Sequence, residues 1–328
     1  MVSQSFKEDR TPKISILTPS LNTGKYLVDT VESILRQSYK NYEHIVVDGG
    51  STDGTLDTLK KYAHIKWVSE KGENDAAMAG IFRKALSLSN GKYIIQCCIS
   101  DGFLDDDWFR RCVDILEANN DVSLIWGLPQ YMTEEGELSK ISYSEFFDEP
   151  PPQKQDFLQY WLATGFFFPE GNYCMRRDVF DKCCPHDDQK DVYRTHPLLG
   201  VIYNFNTMGY LPLYLPIIAN YGRVHQMSRQ IRRRASEKVI EDKYYRSIRS
   251  YRKDLLAGRH EHVFRNGDSE IIGKVNSNDL GKYRMSILKY RVTNSPFFRT
   301  DLAKICRLVS QRGFKDVISS TIEKLSHS

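Results

Sequence analysis

Val46–Thr55, VVDGGSTDGT, decides how this chain is read. A short β-branched run, His44–Val47, stops in Asp48-Gly49-Gly50, and Asp53 then opens a short helical stretch, Asp53–Tyr62. A strand that ends in an acid and two glycines and passes directly into a helix is the junction of an α/β unit. Asp48, at the end of a buried strand, puts a carboxylate at the ligand edge, where a nucleobase or ribose can donate to it. Gly49 and Gly50 let a backbone or ligand approach closely. Asp53 suits the cap of the helix that follows. A plain strand-to-helix turn accounts for Asp53 and one glycine, but not for the whole string.

The same alternation extends on both sides. Strands are expected at Lys13–Thr18, His44–Val47, Ile65–Val68, Tyr93–Cys98 and Val122–Trp126, and helices at Lys25–Gln37, Asp53–Tyr62, Asp75–Leu88 and Asp106–Ala118. In Lys25–Gln37 the apolar residues Leu27, Val31, Ile34 and Leu35 recur at helical spacing. This pattern predicts an α/β fold with a mostly parallel central sheet flanked by helices. Ligands of such sheets bind beyond the C-terminal strand ends. Four successive strands end there in polar or Gly-containing clusters: Thr18–Asn22, Asp48–Gly54, Ser69–Gly72 and Ser100–Gly102. One cluster is an ordinary turn; four on one edge point to a site. Further along, Gly171–Met175 reads as another strand. Tyr210–Ala219, apolar with two prolines, reads as an extended edge segment. Beyond Ser228 the pattern is helical, over Arg229–Leu256, Thr300–Val309 and Phe314–Leu325.

Composition sets outer limits. The chain has 328 residues, 41% hydrophobic and 12% aromatic, with a formal charge of +4 and a mean hydropathy of −0.49. That is too aromatic for a disordered chain. No apolar run approaches the roughly 20 residues of a membrane-spanning helix, and no secretory signal is legible at the N-terminus. Seven cysteines, with vicinal pairs at Cys97–Cys98 and Cys183–Cys184, fit a reduced, cytoplasmic setting better than a disulfide framework. Cys183-Cys184-Pro185-His186 lacks the second pair of ligands that a zinc site needs.

The second chemical signal is Cys97–Trp108, CCISDGFLDDDW. Asp101 at a strand end suits a divalent cation held together with a ligand diphosphate, since Mg²⁺ and Mn²⁺ often take only one or two carboxylates from the protein. Asp106 and Asp107 are read as the acidic start of the next helix.

Together, ISILTPSLNTGKYLVDTVESILRQSYKNYEHIVVDGGSTDGT and SEKGENDAAMAGIFRKALSLSNGKYIIQCCISDG resemble the family 2 glycosyltransferases, which have a GT-A fold. The resemblance covers residues 13–127 well and reaches more loosely to NYGRVHQMS, Asn220–Ser228. It implies a nucleotide pocket lined by Thr18, Pro19, Asp48 and Asp53, with Glu70, Lys71, Gly72 and Asp75 along the ribose and sugar. It further implies Asp101 at a metal–diphosphate position, holding the metal alone or with His225, and an Arg-x-His element, Arg223 and His225, closing over the diphosphate. The implied reaction is inverting, non-processive transfer from a nucleotide diphosphate sugar to a hydroxyl of a glycan or lipid-linked acceptor, in surface polysaccharide or lipopolysaccharide synthesis. The implied cofactor is Mn²⁺ or Mg²⁺, weakly bound.

Three departures from the family pattern stand out. The second acid usual beside Asp101 is Gly102. The acceptor-side Asp expected before Gly209-Tyr210 is replaced by His196-Pro197-Leu198-Leu199. The Gln-x-x-Arg-Trp element of processive members is absent, since Gln226–Gln230 lacks the Trp. The catalytic base must deprotonate the acceptor hydroxyl within hydrogen-bond reach. Glu170, after the aromatic stretch Phe157–Phe168, is the first candidate, with Asp188, Asp191 and His196 as rivals. A turn role for Glu170 in Pro169-Glu170-Gly171 is the competing reading.

These features divide the chain into a GT-A domain, residues 1–228, with a donor part at 13–127 and an acceptor part at 128–228, and a basic C-terminal extension, 229–328. The extension holds 23 Lys/Arg against 11 Asp/Glu, a formal +12, and the first 228 residues hold 23 against 31, a formal −8. Basic residues interleaved with Tyr and Ile suit peripheral contact with an anionic membrane surface. A solvated helix face is the plain alternative, and no nucleic-acid-binding module is recognisable. A dinucleotide-dependent oxidoreductase is excluded by the missing Gly-x-Gly-x-x-Gly. A nucleotidyltransferase is disfavoured by the poor loop at Thr18–Lys25. A non-catalytic sugar-nucleotide-binding protein is kept open by Gly102.

Overall fold

The computed structural model describes residues 13–70, 76–142, 151–165, 173–184, 197–224 and 234–276. The described elements run β1 (Ile14–Ser20), α1 (Gly24–Leu35), β2 (Tyr42–Asp48), α2 (Thr55–Leu59), β3 (Ile65–Ser69), α3 (Ala76–Ser87), β4 (Tyr93–Gln96), β5 (Gly102–Phe103), α4 (Trp108–Ala118) and β6 (Leu124–Met132). They continue with β7 (Leu138–Ser142), α5 (Lys154–Thr164), β8 (Tyr173–Arg176), α6 (Arg177–Cys183), α7 (Pro197–Met208), β9 (Pro212–Arg223), α8 (Arg234–Leu256), β10 (Val263–Arg265) and β11 (Ile271–Lys274). The two helices expected near the C-terminus, Thr300–Val309 and Phe314–Leu325, lie outside the described residues.

β1 is the axis of the main sheet, and all its residues are buried. The order is β3-β2-β1-β4-β8-β6-β9-β5, with β7 paired to β6. β1, β2, β3 and β4 are mutually parallel, as are β6 and β9, while β8 runs antiparallel to both β4 and β6. The fold is α/β, with a mixed, mostly parallel sheet flanked by helices. One sheet face packs Ile14, Ile16, Tyr93, Ile95 and Cys97 against α1 and α4 through Ile34, Trp108, Phe109 and Cys112. Val46 and Ile65 of the same face meet Tyr26, Leu27 and Val31 of α1. α3 covers the opposite face of β1 and β2.

β1 connects through α1 to β2 on one side, whereas β3 returns through α3 to β4 on the other. The β1/β4 boundary is therefore the switch point where such sheets open a crevice. The register shows the opening: β4 pairs with β1 only as far as Leu17–Gln96. Cys97 N–H still reaches the Leu17 carbonyl at 3.0 Å, and beyond it the strands part. Pro19 points its missing N–H toward that open side, which is why a proline is tolerated in this central strand.

The edge segment expected at Tyr210–Ala219 is the first part of β9, which runs on to Arg223. It lies beside β6 for its whole length and takes β5 on its other side at Asn220 and Tyr221. Its prolines are accommodated where only β6 is a neighbour. Pro216 sits in an irregularity, where Trp126–Leu128 of β6 faces Tyr214–Ile218 of β9. Beyond Ser228 the helical expectation is met by α8, whose Tyr244, Ile248 and Leu255 are buried. The β10–β11 hairpin that follows α8 was not expected. Trp161 Nε1 donates to Tyr244 Oη at 3.1 Å, and Arg252 Nη1 donates to the Leu162 and Ala163 carbonyls at 3.1 and 2.7 Å. These bonds seat α8 on α5.

Gly209 makes the junction between α7 and this C-terminal segment. Its φ is +84°, and a Cβ there would lie 1.8 Å from the Val263 carbonyl oxygen. Its own carbonyl accepts from Arg265 N–H at 2.8 Å. Gly209→Ala is therefore expected to cost at least about 2 kcal/mol, combining left-handed strain with displacement of β10. Thermal unfolding of the two proteins measures this.

Candidate active site at the ends of β1, β2 and β4

The loops after β1 and β2 are sewn together by side chains. Asp48 is fully buried. Its Oδ1 accepts from Ser20 Oγ at 3.1 Å and from Ser51 Oγ, and its Oδ2 accepts from Ser69 Oγ and from the Gly50 and Ser51 amides at 2.8–2.9 Å. The carboxylate thus ties the ends of β1, β2 and β3 to the Gly49–Ser51 turn. Asn22, at φ +51°, completes the seam: its amide donates to Ser51 Oγ at 2.7 Å and its Oδ1 accepts from Thr52 N–H at 2.8 Å.

Asp53 does the same for helix starts. Its Oδ2 accepts from the first amide of α1, Gly24, at 3.0 Å, and its Oδ1 from the amide and hydroxyl of Thr55 at the start of α2. Partial burial pushes its pKa up, but the Thr55 and Gly24 donors outweigh this and hold it below the usual carboxylate value. One residue serves two helix N-termini, which complements their dipoles as well as their orphan amides. Thr18 faces inward: its hydroxyl shares a 2.9 Å hydrogen bond with His44 Nε2. Glu70 places its backbone amide 2.8 Å from the Asp48 carbonyl and its side chain 2.8 Å from Lys84 in an exposed ion pair.

Asp101 lies across the crevice, in the turn that follows β4. Arg223 of β9 donates its backbone amide to Asp101 Oδ1 at 3.1 Å. Burial pushes the Asp101 carboxyl up to about 6, against the opposing pull of the Arg223 amide, the Ser100 side chain and the Arg223 charge. The Arg223 guanidinium is buried. It pairs with Asp29 at 2.6 Å, donates to the carbonyls of Glu134 and Ser100 at 3.2 and 3.4 Å, and lies 5.0 and 5.8 Å from the ring centroids of Tyr26 and Tyr221. In this state it knits α1, the Asp101 turn, the β6–β7 hairpin and β9 together.

The missing second acid has a steric counterpart. A Cβ on Gly102 would lie 2.5 Å from Tyr221 Oη and 2.7 Å from Ser33 Oγ. Tyr221, directly across the β5–β9 pairing, fills the space a side chain at 102 would need. Among the described residues no group of three or more His, Cys, Asp or Glu is arranged to hold a metal. A single carboxylate whose ionisation is opposed by burial fits a Mg²⁺ or Mn²⁺ that arrives with, and is completed by, a diphosphate. Among the described residues nothing joins it to form a site for a resident ion held by protein side chains alone.

Lys71, Gly72, Asp75, Glu170, Asp188, Asp191, His196 and His225 lie outside the described residues. Of the other sequence-derived candidates, Thr18, Pro19, Asp48, Asp53 and Glu70 fall on the β1–β3 side, and Asp101 with Arg223 on the β4 side. Sequence reading missed Ser20, Ser51 and Ser69 as partners of Asp48, and Asp29 and Tyr221 as partners of Arg223. Nothing local marks these residues, because each is a common side chain whose role depends on long-range register.

An α/β sheet with acidic strand-end loops on both sides of its switch point is the architecture of nucleotide-binding transferases. The glycosyl transferase family 2 profile matches residues 15–184, more than half of the chain, and the chain belongs to that family of enzymes. TuaG of Bacillus subtilis (strain 168), provisionally named a teichuronic acid biosynthesis glycosyltransferase, is 39% identical over 102 residues, or 29% of this chain and 36% of TuaG. The Escherichia coli UDP-Glc:alpha-D-GlcNAc-diphosphoundecaprenol beta-1,3-glucosyltransferase WfaP is 35% identical over 162 residues, or 49% of this chain and 53% of WfaP. The chain thus spans about half or less of the length of these relatives. The mannosyltransferase PcManGT from Pyrobaculum calidifontis, solved with GDP-Man and Mn²⁺, superposes with a TM-score of 0.54 over 98% of this chain and 82% of its own, at 16% identity. At that identity the likeness is one of fold.

Two predictions follow from these packing facts. Gly102→Asp is expected to destabilise the protein by about 1–3 kcal/mol through the clash with Tyr221, and adding Tyr221→Ala to relieve part of it, as read by denaturant titration of the single and double variants. His44 is held neutral by burial, its pKa down at about 3. Because the folded value lies below the unfolded value near 6.5, its contribution is complete above pH 6.5 and is lost as pH falls from there toward 3. His44→Gln should therefore flatten the acid limb of a melting temperature–pH curve, and an unchanged limb would refute this.

Proposed function

We propose that this protein transfers a sugar from a nucleotide diphosphate sugar to a hydroxyl of a glycan or lipid-linked acceptor, with inversion and without processive elongation, in the synthesis of a surface polysaccharide. The observation that carries this reading is the facing of two acidic loops across one crevice, the Asp48 seam on β1–β3 and Asp101 after β4, in a chain of this family. The seam offers Gly and Ser backbone on which a nucleoside can lie. Asp101 is the carboxylate available for the diphosphate side, where it would hold a Mn²⁺ or Mg²⁺. That cation would neutralise charge on the departing diphosphate. TuaG and WfaP support a surface-glycan role, and the name of WfaP includes a diphosphoundecaprenol acceptor.

The acceptor hydroxyl must lose a proton as its oxygen attacks the anomeric carbon. We assign that proton to Glu170, with Asp191 and His196 as alternatives, on the sequence argument alone. The exposed basic residues Arg246, Arg249 and Lys253 on α8 lie opposite its buried stripe of Tyr244, Ile248 and Leu255. That arrangement supports peripheral contact with an anionic membrane, where a lipid-linked acceptor would be presented.

The test is donor turnover with UDP- and GDP-sugars in the presence of Mn²⁺. Asp101→Asn is expected to lower hydrolysis and transfer by about 100-fold or more. Glu170→Gln is expected to lower transfer by about 100-fold while leaving nucleotide affinity intact. Full activity in the first variant would defeat the donor-site reading, and full transfer in the second would move the base elsewhere.

A further inference from the structure

The turn that carries Asp101 holds a backbone conformation its own sequence does not favour. Ser100 has φ +105°, in the left-handed half of the map, and is buried. It is the third residue of a four-residue turn closed by the Asp101 amide on the Cys98 carbonyl at 3.1 Å. At such a position glycine is the residue that adopts a positive φ without strain.

The extra hold comes from the middle of α1. Thr30 is fully buried, and its Oγ1 accepts from the Ser100 amide at 3.2 Å and donates to the Asp101 carbonyl at 2.7 Å. A threonine inside a helix commonly returns its hydroxyl to the carbonyl four residues back. Here that contact, to Tyr26, is 3.4 Å, and the bond to Asp101 is the shorter. One hydroxyl therefore spans both residues of the turn. From the other side, Arg223 Nε meets the Ser100 carbonyl and the Arg223 amide meets the Asp101 carboxylate. Asp29, the neighbour of Thr30 on α1, holds the Arg223 guanidinium.

We propose that Thr30 is a positioning residue of the donor site: its hydroxyl locks the strained Ser100 turn and fixes the direction in which Asp101 presents its carboxylate to the donor diphosphate and its cation. Asp29, acting through Arg223, closes the opposite side of the same turn. The proposal rests on the reading of Asp101 given above. Thr30 is fully buried, so its role in this proposal is exerted through Asp101.

The measurement is the cation dependence of nucleotide diphosphate binding by the full chain, taken as the ratio of Kd in EDTA to Kd with Mn²⁺, using UDP and GDP as probes. Thr30→Val keeps the side-chain shape and removes both bonds. It is expected to shrink that ratio by about tenfold, the scale on which supports of metal-binding groups act, with affinity in EDTA unchanged and the ligand-free melting temperature lowered. Thr30→Ser keeps the hydroxyl and is expected to keep the wild-type ratio. Ser100→Gly added to Thr30→Val is expected to recover both the ratio and the melting temperature, because glycine takes this φ unaided. A Thr30→Val protein with the wild-type ratio, or a double variant with no recovery, overturns the proposal. Thr30→Ala carries the same comparison if the valine variant does not fold. Asp101→Asn is the reference. If it leaves the ratio intact, the reading of Asp101 falls; if it abolishes the ratio while Thr30→Val does not alter it, only the role of Thr30 falls.

Discussion

Five hydrogen bonds converge on the carboxylate of Asp48, from Ser20, Ser51, Ser69 and two backbone amides. A buried carboxylate is costly unless its oxygens are satisfied, and charge-assisted bonds of this kind are about twice as strong as neutral ones. The three parallel strand ends are therefore held at one height by the hydrogen bonds of this one side chain. Everything on the donor side of the crevice takes its position from that constraint. The Gly49–Ser51 turn curls over it, Asn22 is drawn down to Ser51 and Thr52, and Asp53 then fixes the starts of α1 and α2. Asp48 shapes the floor of the crevice from below, and the groups presented upward are the backbone and side chains it organises.

The two sides of the crevice are built on different principles. The β1–β3 side is a hydrogen-bonded network centred on the Asp48 carboxylate. The β4 side carries stored cost: Ser100 in a left-handed conformation, a penalty of roughly 1–3 kcal/mol, and a carboxyl pushed up to about 6 by burial. Such strain persists only when the surroundings over-determine it. Here α1 contributes Thr30 and Asp29, β9 contributes Arg223, and the hairpin after β6 contributes the Glu134 carbonyl. The other wall also holds a left-handed residue, Asn22 at φ +51°, but asparagine adopts that conformation more readily than serine does.

Legibility in the sequence followed the range of the interaction. The β-α-β alternation and the polar strand ends were readable, because each depends on a few consecutive residues and a strong period. The helix stripe Tyr244, Ile248 and Leu255 was readable for the same reason. The position of β9 between β6 and β5 was not, since it depends on pairings between segments far apart in sequence and on a bulge at Pro216; nor was the β10–β11 hairpin, whose two strands are short and irregular in register. Thr30 is the clearest case of a silent residue. It sits one position before Val31 in an ordinary amphipathic helix, and only the return of the chain at Ser100 gives its hydroxyl a task. Gly102 was legible as a departure but not as a fit, because Tyr221, which fills its space, is far away in sequence.

The departure at Gly102 also explains the electrostatics of the site. Arg223 brings a buried positive charge to within a backbone bond of Asp101, and a guanidinium so placed would neutralise a lone carboxylate and leave little attraction for a cation. Asp29 offsets part of that charge by pairing with the guanidinium at 2.6 Å, and the remainder still draws the Asp101 pKa down against burial. A second acid beside Asp101 would put two negative charges in a buried turn, with like-charge repulsion added to burial. The chain instead places a neutral phenol there, and burial pushes the pKa of Tyr221 up to about 12, which keeps it uncharged. Among the described residues this leaves the Asp101 carboxyl, pushed up to about 6 by burial, beside an uncharged phenol and an arginine that is paired with Asp29.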